Sequence, residues 1–337
     1  MTTYTIKDIA KLAGVGVSTV SRALNNHPDI NKKTKDKIME IIEECNYSPN
    51  ENAKHLKLSF TNNISIIVKG TANPFFENIV EQMQYDLGRK GYNALVNYID
   101  EHGDEIKTAM KLYNEKKLEG IIFLGGSSKK FNTELSKFHI PCVVSTVFIP
   151  DLPLDKKACV SVDDKAAAGK ALDYLITYGH KNIAIIGGKR GYTNTDLRYQ
   201  GAIESFEKHG LAFDDEKYMV SKFSLESSYN AMSALLEKDR TITAVFAMSD
   251  TMAIGAAKAI TDAGLSIPED ISIIGFDGID ISHFYNPTLA TIKQPAKEIA
   301  KISVKVLIEN ILGECETNQV LLDTQLIKRN SVKKLVG

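Results

Sequence analysis

The 337-residue chain contains no apolar run approaching the roughly 18 residues that a membrane-crossing helix requires. Its first residues, Met-Thr-Thr-Tyr-Thr-Ile-Lys-Asp, lack the basic-then-apolar layout of an export signal, so a soluble protein of the cytoplasm with no membrane partner is expected. The four cysteines (Cys45, Cys142, Cys159, Cys315) lie far apart with no C-x-x-C, which indicates neither a zinc site nor a disulfide framework. No metal or cofactor is expected. There is also no G-x-G-x-x-G, Walker loop, G-x-S-x-G or H-E-x-x-H, so the ordinary signatures of nucleotide-dependent, hydrolytic and zinc enzymes are missing. An enzyme is not expected. Charge of one sign is lacking too, since 41 Lys+Arg stand against 42 Asp+Glu. Hydrophobic residues at 43% and charged residues at 25% exclude a disordered or fibrous chain, and the length calls for two or three domains.

What is present is unevenly placed. Residues 1–39 carry seven basic side chains against three acidic ones, leaving a mildly acidic remainder. A basic head of this kind suits a polyanion. Ile9, Leu12 and Ala13 share one helical face, and Thr5 can cap that helix. Gly14-Val15-Gly16 breaks it. A second helix from Val17 to Leu24 points Val20 and Leu24 inward, and a third from near Asn31 shows Ile38, Ile41, Ile42 and Cys45 at helical spacing. Helix, glycine turn, helix is the layout of a helix-turn-helix.

Residues 46–60 read as a linker in which Pro49 ends the preceding structure and Asn50 can start a short helix to about Lys57. Eight residues do not hold a helix alone in water, so this one requires a partner. From residue 62, apolar runs such as Ile64-Ser65-Ile66-Ile67-Val68 and Gly120-Ile121-Ile122-Phe123-Leu124 alternate with amphipathic stretches, and the rhythm restarts at Lys181-Asn182-Ile183-Ala184-Ile185-Ile186-Gly187. Two similar halves with parallel sheets imply a cleft, lined by the loops at 69–76, 187–198, 248–251 and 276–280.

Thr5-Ile-Lys-Asp-Ile-Ala-Lys-Leu-Ala-Gly-Val-Gly-Val-Ser-Thr-Val-Ser-Arg-Ala-Leu-Asn25, with Asn46-Tyr-Ser-Pro-Asn50 and Ala53-Lys-His-Leu56, closely resembles the headpiece and hinge of the lactose/galactose repressor (LacI/GalR) family of bacterial transcription regulators. The similarity continues through Gly179-His-Lys-Asn-Ile183, Ala263-Gly-Leu-Ser-Ile-Pro-Glu-Asp-Ile-Ser-Ile-Ile-Gly-Phe-Asp277 and Thr291-Ile-Lys-Gln294. It implies an α/β protein: an N-terminal helix-turn-helix headpiece (1–49), a hinge helix or linker (50–60), and two doubly wound parallel-sheet subdomains of periplasmic-binding-protein type I. Residues 61–161 with 292–318 are expected in the first subdomain, and 162–291 with 319–337 in the second.

The resemblance places Val17, Ser18 and Arg22 where base edges are met, with Thr19 a further DNA-contact candidate, and an Arg fork suits guanine O6 and N7. Thr5, Ser21 and Asn25 are candidates for phosphate contacts that set register. Gly16 stands where relatives usually carry Ser, which removes a cap. Asn50, Ala53, Lys54 and Leu56 match the hinge, where the leucine enters the minor groove and kinks the duplex; packing of Leu56 onto the core is the alternative. Residues 50–57 are then expected to fold only on DNA.

In the core, Arg198 and Asp277 match positions that hold effector hydroxyls, and a planar donor fork with two acceptor oxygens suits a sugar diol. Phe75, Phe76 and Phe223 either cover the sugar's apolar face or, for the first two, are core residues at a helix start. Ser249 and Gln294 are further lining candidates, and Asp250 is expected to cap the following helix rather than touch ligand. Lys69 and Lys189-Arg190 end homologous strands, which points either to an anionic effector or simply to solvated lysines. The implied partners are palindromic double-stranded operator DNA, a sugar or sugar-derivative effector and a second copy of the chain, and a phosphorylated carrier protein as a further one. Repression of a carbohydrate-utilisation operon is the implied role.

Overall fold

The computed structural model describes residues 6–24, 30–45, 62–70, 73–150, 152, 156–314 and 319–335. The expectations for Thr5, Asn25, Asn50, Ala53, Lys54, Leu56 and Cys315 lie outside the described residues, as do those for the side chains of Ser18 and Ser21. The chain divides into two units, residues 1–61 and 62–337.

The first unit holds α1 (Ile6–Ala13), α2 (Val17–Leu24) and α3 (Lys32–Glu44). Gly14 closes α1 at φ +70°: Val15 N donates to Ala10 O at 3.0 Å and Gly14 N to Lys11 O at 3.3 Å. This paired closure needs a left-handed residue, which glycine adopts without strain. Lys37 Nζ donates to Ala13 O at 3.1 Å, tying α3 to the end of α1, and Asn31 caps α3 through Lys33 N at 2.9 Å. Ile9, Ala10, Ala13, Val20, Ala23 and Ile38 form the buried core, with Leu24, Ile41, Ile42 and Cys45 packed at its edge. Leu12, expected on that face, is instead 55% exposed, and Ala10 is buried. The two flank the Ile9 and Ala13 stripe at equal angles, and the neighbouring helices cover the Ala10 side.

In the second unit, β1 (Asn63–Lys69), α4 (Pro74–Arg89), β2 (Asn93–Ile99), α5 (Glu105–Lys116), β3 (Gly120–Leu124), α6 (Ser128–Glu134), β4 (Cys142–Ser145) and β5 (Lys157–Val162) come first. Then follow α7 (Asp164–Thr177), β6 (Ile183–Gly187), α8 (Thr193–Lys208), β7 (Tyr218–Val220), α9 (Leu225–Lys238), β8 (Ala244–Ala247), α10 (Asp250–Asp262), β9 (Ser272–Asp277), α11 (Ile281–Phe284) and β10 (Ala290–Lys293). The last elements are α12 (Ala296–Leu312), β11 (Gln319–Leu322) and β12 (Gln325–Ile327).

Two sheets result, ordered β11-β5-β4-β3-β1-β2 and β12-β10-β9-β8-β6-β7, parallel except where β12 runs against β10. Both faces of β1 are covered: Ile64, Ile66 and Val68 pack with α4 and α12 residues, whereas Ile67 joins the opposite cluster with Phe123 and Phe131. That double burial explains the continuous apolar runs. Strand order reverses between β1 and β3 and between β6 and β8, so loops at these two points open a crevice at the strands' carboxyl ends.

The chain crosses between the subdomains at 162–164, 293–296 and 322–325, which corrects two expected boundaries. Ile292 and Lys293 belong to β10 in the second sheet, and 319–322 form β11, paired to β5 from Gln319↔Cys159 to Leu322↔Val162 in the first. A four-residue edge strand carries too little pattern of its own to show which sheet it joins.

Candidate functional site

In the first unit, α2 presents Arg22 to solvent, with Val17 and Thr19 half-exposed and Val17 also packed on the small core. The Gly16 carbonyl accepts from Thr19 N at 2.9 Å and Val20 N at 3.2 Å, so α2 starts on a residue with no side chain to cap it.

In the second unit, the crevice between the sheets encloses a cavity of about 430 Å³. Its lining includes Lys69, Phe75, Phe76, Phe223, Arg198, Asp277 and Gln294, all expected from the sequence. Phe75 is 3% exposed: it joins the core and also lines the cavity.

Arg198 is clamped from several sides on α8. Its Nε donates to Asp164 Oδ1 at 2.7 Å, its Nη1 donates to Met248 O, and its guanidinium lies 3.7 Å from the centre of the Phe276 ring. Nη1 also stands 3.9 Å from Asp277 Oδ1, which accepts from Gln294 Nε2 at 2.8 Å. Asp277 sits at φ +108°, a strained conformation for a residue with a side chain, at the end of β9. Burial pushes its carboxyl up to about 7, with Arg198 acting in the opposite direction. Asp164 is also raised by burial against the pull of Arg198, and its Oδ2 has no hydrogen-bonding partner among the described residues.

Asp250 does not cap α10. Ser249 does, its Oγ accepting from Met252 N at 3.1 Å, and being 1% exposed it lies outside the cavity lining. Asp250 instead joins three elements: Oδ2 accepts from Ile279 N at 2.9 Å and Oδ1 from Thr291 Oγ1 at 2.6 Å. A Cβ at Gly275 would stand 2.2 Å from that Oδ1, so only glycine fits there. Burial, then the nearby Asp277 charge, push the Asp250 carboxyl up to about 8.

The expected positive face is largely neutralised. Lys69 Nζ binds Glu105 Oε2 at 2.7 Å, and Glu105, fully buried at the start of α5, also accepts from Ser127 N at 2.9 Å. Arg190 lies outside the lining, its Nε on Asp196 Oδ1 at 2.8 Å and its guanidinium 3.6 Å from the centre of the Tyr199 ring. Lys189 remains, exposed at the rim.

Sequence reasoning missed the groups that join the two walls. Ser128 Oγ and Thr193 Oγ1 are 2.6 Å apart, Asn194 Nδ2 donates to Thr146 O at 2.8 Å, and Lys222 Nζ lies 3.3 Å from Glu101 Oε1. Thr146 adopts φ +68° and its Oγ1 is buried without a partner among the described residues. The loops after β2, β4 and β7 also lie at strand carboxyl ends, a signal that would have pointed to Glu101, Thr146 and Lys222.

Residues 5–50 match the model for bacterial regulatory proteins of the lacI family, and residues 172–332 that for a periplasmic-binding-protein-like domain. The chain is 38% identical over 333 residues to the HTH-type transcriptional regulator MalR of Clostridium butyricum, an alignment covering 97% of this chain and 98% of that one. Among solved structures, it is similar to a transcriptional regulator CelR–cellobiose complex (25% identity, TM-score 0.73, 97% of this chain and 99% of the other). The lac repressor dimer bound to operator and an anti-inducer shares the fold (23% identity, TM-score 0.84, 98% and 100% covered). With the helix-turn-helix and the two-sheet cleft in place, the chain belongs to the lacI family of bacterial regulatory proteins, and is a DNA-binding transcriptional regulator.

Proposed function

We propose that this protein is a homodimeric cytoplasmic repressor of a carbohydrate-utilisation operon, whose affinity for a palindromic operator is switched by a sugar or sugar derivative bound between its two subdomains. The observation that carries the ligand class is the wall formed by Arg198, Asp277 and Gln294 in a cavity also lined by Phe75, Phe76 and Phe223. Fixed donors and acceptors at one wall suit hydroxyl groups, and rings suit the C–H face of a pyranose. The cellobiose bound by a relative supports the same class.

For DNA, Arg22 is the base-reading residue, supported by Val17 and Ser18, while Thr19 and Ser21 with Thr5 and Asn25 set register. Asn50, Ala53, Lys54 and Leu56 act at the hinge. One recognition helix spans too few base pairs for genomic specificity, which is why two copies on a palindrome are needed.

Thermal-shift screening of the full chain against sugars tests the ligand half of this reading. A neutral or acidic sugar raises the melting temperature of the parent, and Arg198→Ala and Asp277→Ala abolish the shift; variants that respond like the parent overturn the assignment of the cleft.

A further inference from the structure

We infer that the cleft is built to take an uncharged polyol and to reject its acidic derivatives, and that Glu105 is a specificity-determining residue for this choice. The inference rests on the cleft reading above and narrows the ligand to neutral sugars.

Two cations with little exposure line the cavity, the part-buried Lys69 and the buried Arg198, with side chains 12% and 6% exposed. Each is already matched: Lys69 by Glu105 at 2.7 Å, and Arg198 by Asp164 at 2.7 Å with Asp277 at 3.9 Å. Both of these tighter partners are essentially fully buried, so the pairs are not loosened by water. Among the described lining residues no buried cation is left without a carboxylate. If Asp277 is ionised the interior carries a negative surplus; if it holds a proton the interior is neutral. Neither state offers an unmatched positive charge.

The two other lysines of the lining, Lys189 and Lys222, are exposed. Lys222, 67% exposed, faces Glu101 across the mouth, and Lys189 is exposed at the rim, where water screens it. The partial positive charge at the start of α8 is met by Asp196 in its first turn, which accepts from Gly191 N and Arg190 Nε. A carboxylate or phosphate entering the cavity would therefore lose its hydration without gaining a counter-charge, a loss that hydroxyl groups do not suffer.

Glu105 decides this because it does not line the cavity itself. It reaches Lys69 from behind while its other oxygen accepts from Ser127 N. Removing its charge leaves the Lys69 ammonium facing the cavity uncompensated. Glu105→Gln keeps an acceptor for Ser127 N and changes no lining residue.

The experiment is calorimetric titration of the full chain with ring-matched pairs: glucose against glucuronate and glucose 6-phosphate, and galactose against galacturonate. At least one neutral sugar is expected to bind, with its acidic counterpart at least 30-fold weaker. In Glu105→Gln that ratio falls at least tenfold, and in Glu105→Gln/Lys69→Gln, where the pair is again neutral, the discrimination returns. Acids binding as tightly as their neutral partners, or an unchanged ratio in Glu105→Gln with a parent-like melting temperature, overturns the inference while leaving the cleft reading intact. Failure of every sugar of both kinds at millimolar concentration overturns the cleft reading and the inference with it.

Discussion

Arg198 and Asp164 form a buried ion pair, Nε to Oδ1 at 2.7 Å, that fixes the cavity's guanidinium at the point where the chain enters the second subdomain. Asp164 opens α7 directly after the β5 crossover, while Arg198 stands on α8. The cavity wall and an inter-subdomain connection therefore share one contact. Asp164→Ala leaves the guanidinium without its closest counter-charge in a dry site and is expected to cost about 3–5 kcal/mol of core stability. Asp164→Asn retains an acceptor for Nε and should lose clearly less. Urea unfolding of both variants checks this order, and equal losses would count against the clamp.

The raised carboxyls give the core an unusual dependence on pH. Asp277 and Asp250 have folded values of about 7 and about 8 against an unfolded value near 3.8, so the folded state binds more protons between those limits. Their contribution to stability is full below the unfolded value and is lost as pH rises through about 7 to 8. Asp250→Asn, which cannot ionise, should flatten the decline between about pH 4 and 8 in a series of unfolding curves, and a decline as steep as the parent's would contradict the assignment.

His180 contributes the opposite limb. It is fully buried, with Nδ1 3.1 Å from Thr243 Oγ1 and Nε2 3.0 Å from Lys333 O, and burial holds its imidazole below the ordinary value. The unfolded state takes up a proton first, so this contribution is present above about pH 6.5 and is lost as pH falls through the folded value. His180→Ala should remove the acid limb and cost about 1–3 kcal/mol by leaving Thr243 and the Lys333 carbonyl short of a partner. Melting temperatures across pH 5 to 8 provide the check.

How far the sequence reaches is clear from particular residues. Arg198, Asp277 and Gln294 were legible because each follows a strand or lies in a stretch that resembles a known family, and the cavity brings all three together. Glu105 and Asp164 were not, because a carboxylate at a helix start reads as a cap or a dipole partner, and only the fold shows which cation stands opposite. Lys69 and Arg190 read as free charges for the same reason. The boundary at 319 failed because β11 pairs with β5 far back in the chain, a long-range fact with no local trace.

The headpiece turn is open to a simple test. Gly14→Ala forces a side chain into φ +70° and should cost about 1 kcal/mol, raising amide exchange in α1 and α2 roughly fivefold. Gly16→Ser supplies a hydroxyl to the uncapped start of α2 and should slow exchange there by a few tenths of a kcal/mol. Unchanged exchange in Gly14→Ala would contradict the role given to that glycine.

Occupancy of the cleft should govern DNA binding. Operator affinity of the full chain should be measured by fluorescence anisotropy with and without saturating sugar, in the parent and in Arg198→Ala. The parent should change its operator affinity by about 5 to 150-fold, the range of a coupling of about 1–3 kcal/mol. Arg198→Ala should bind operator as the parent does without sugar and show no response to it. An operator affinity indifferent to saturating sugar in the parent, or an equal response in Arg198→Ala, would contradict the account.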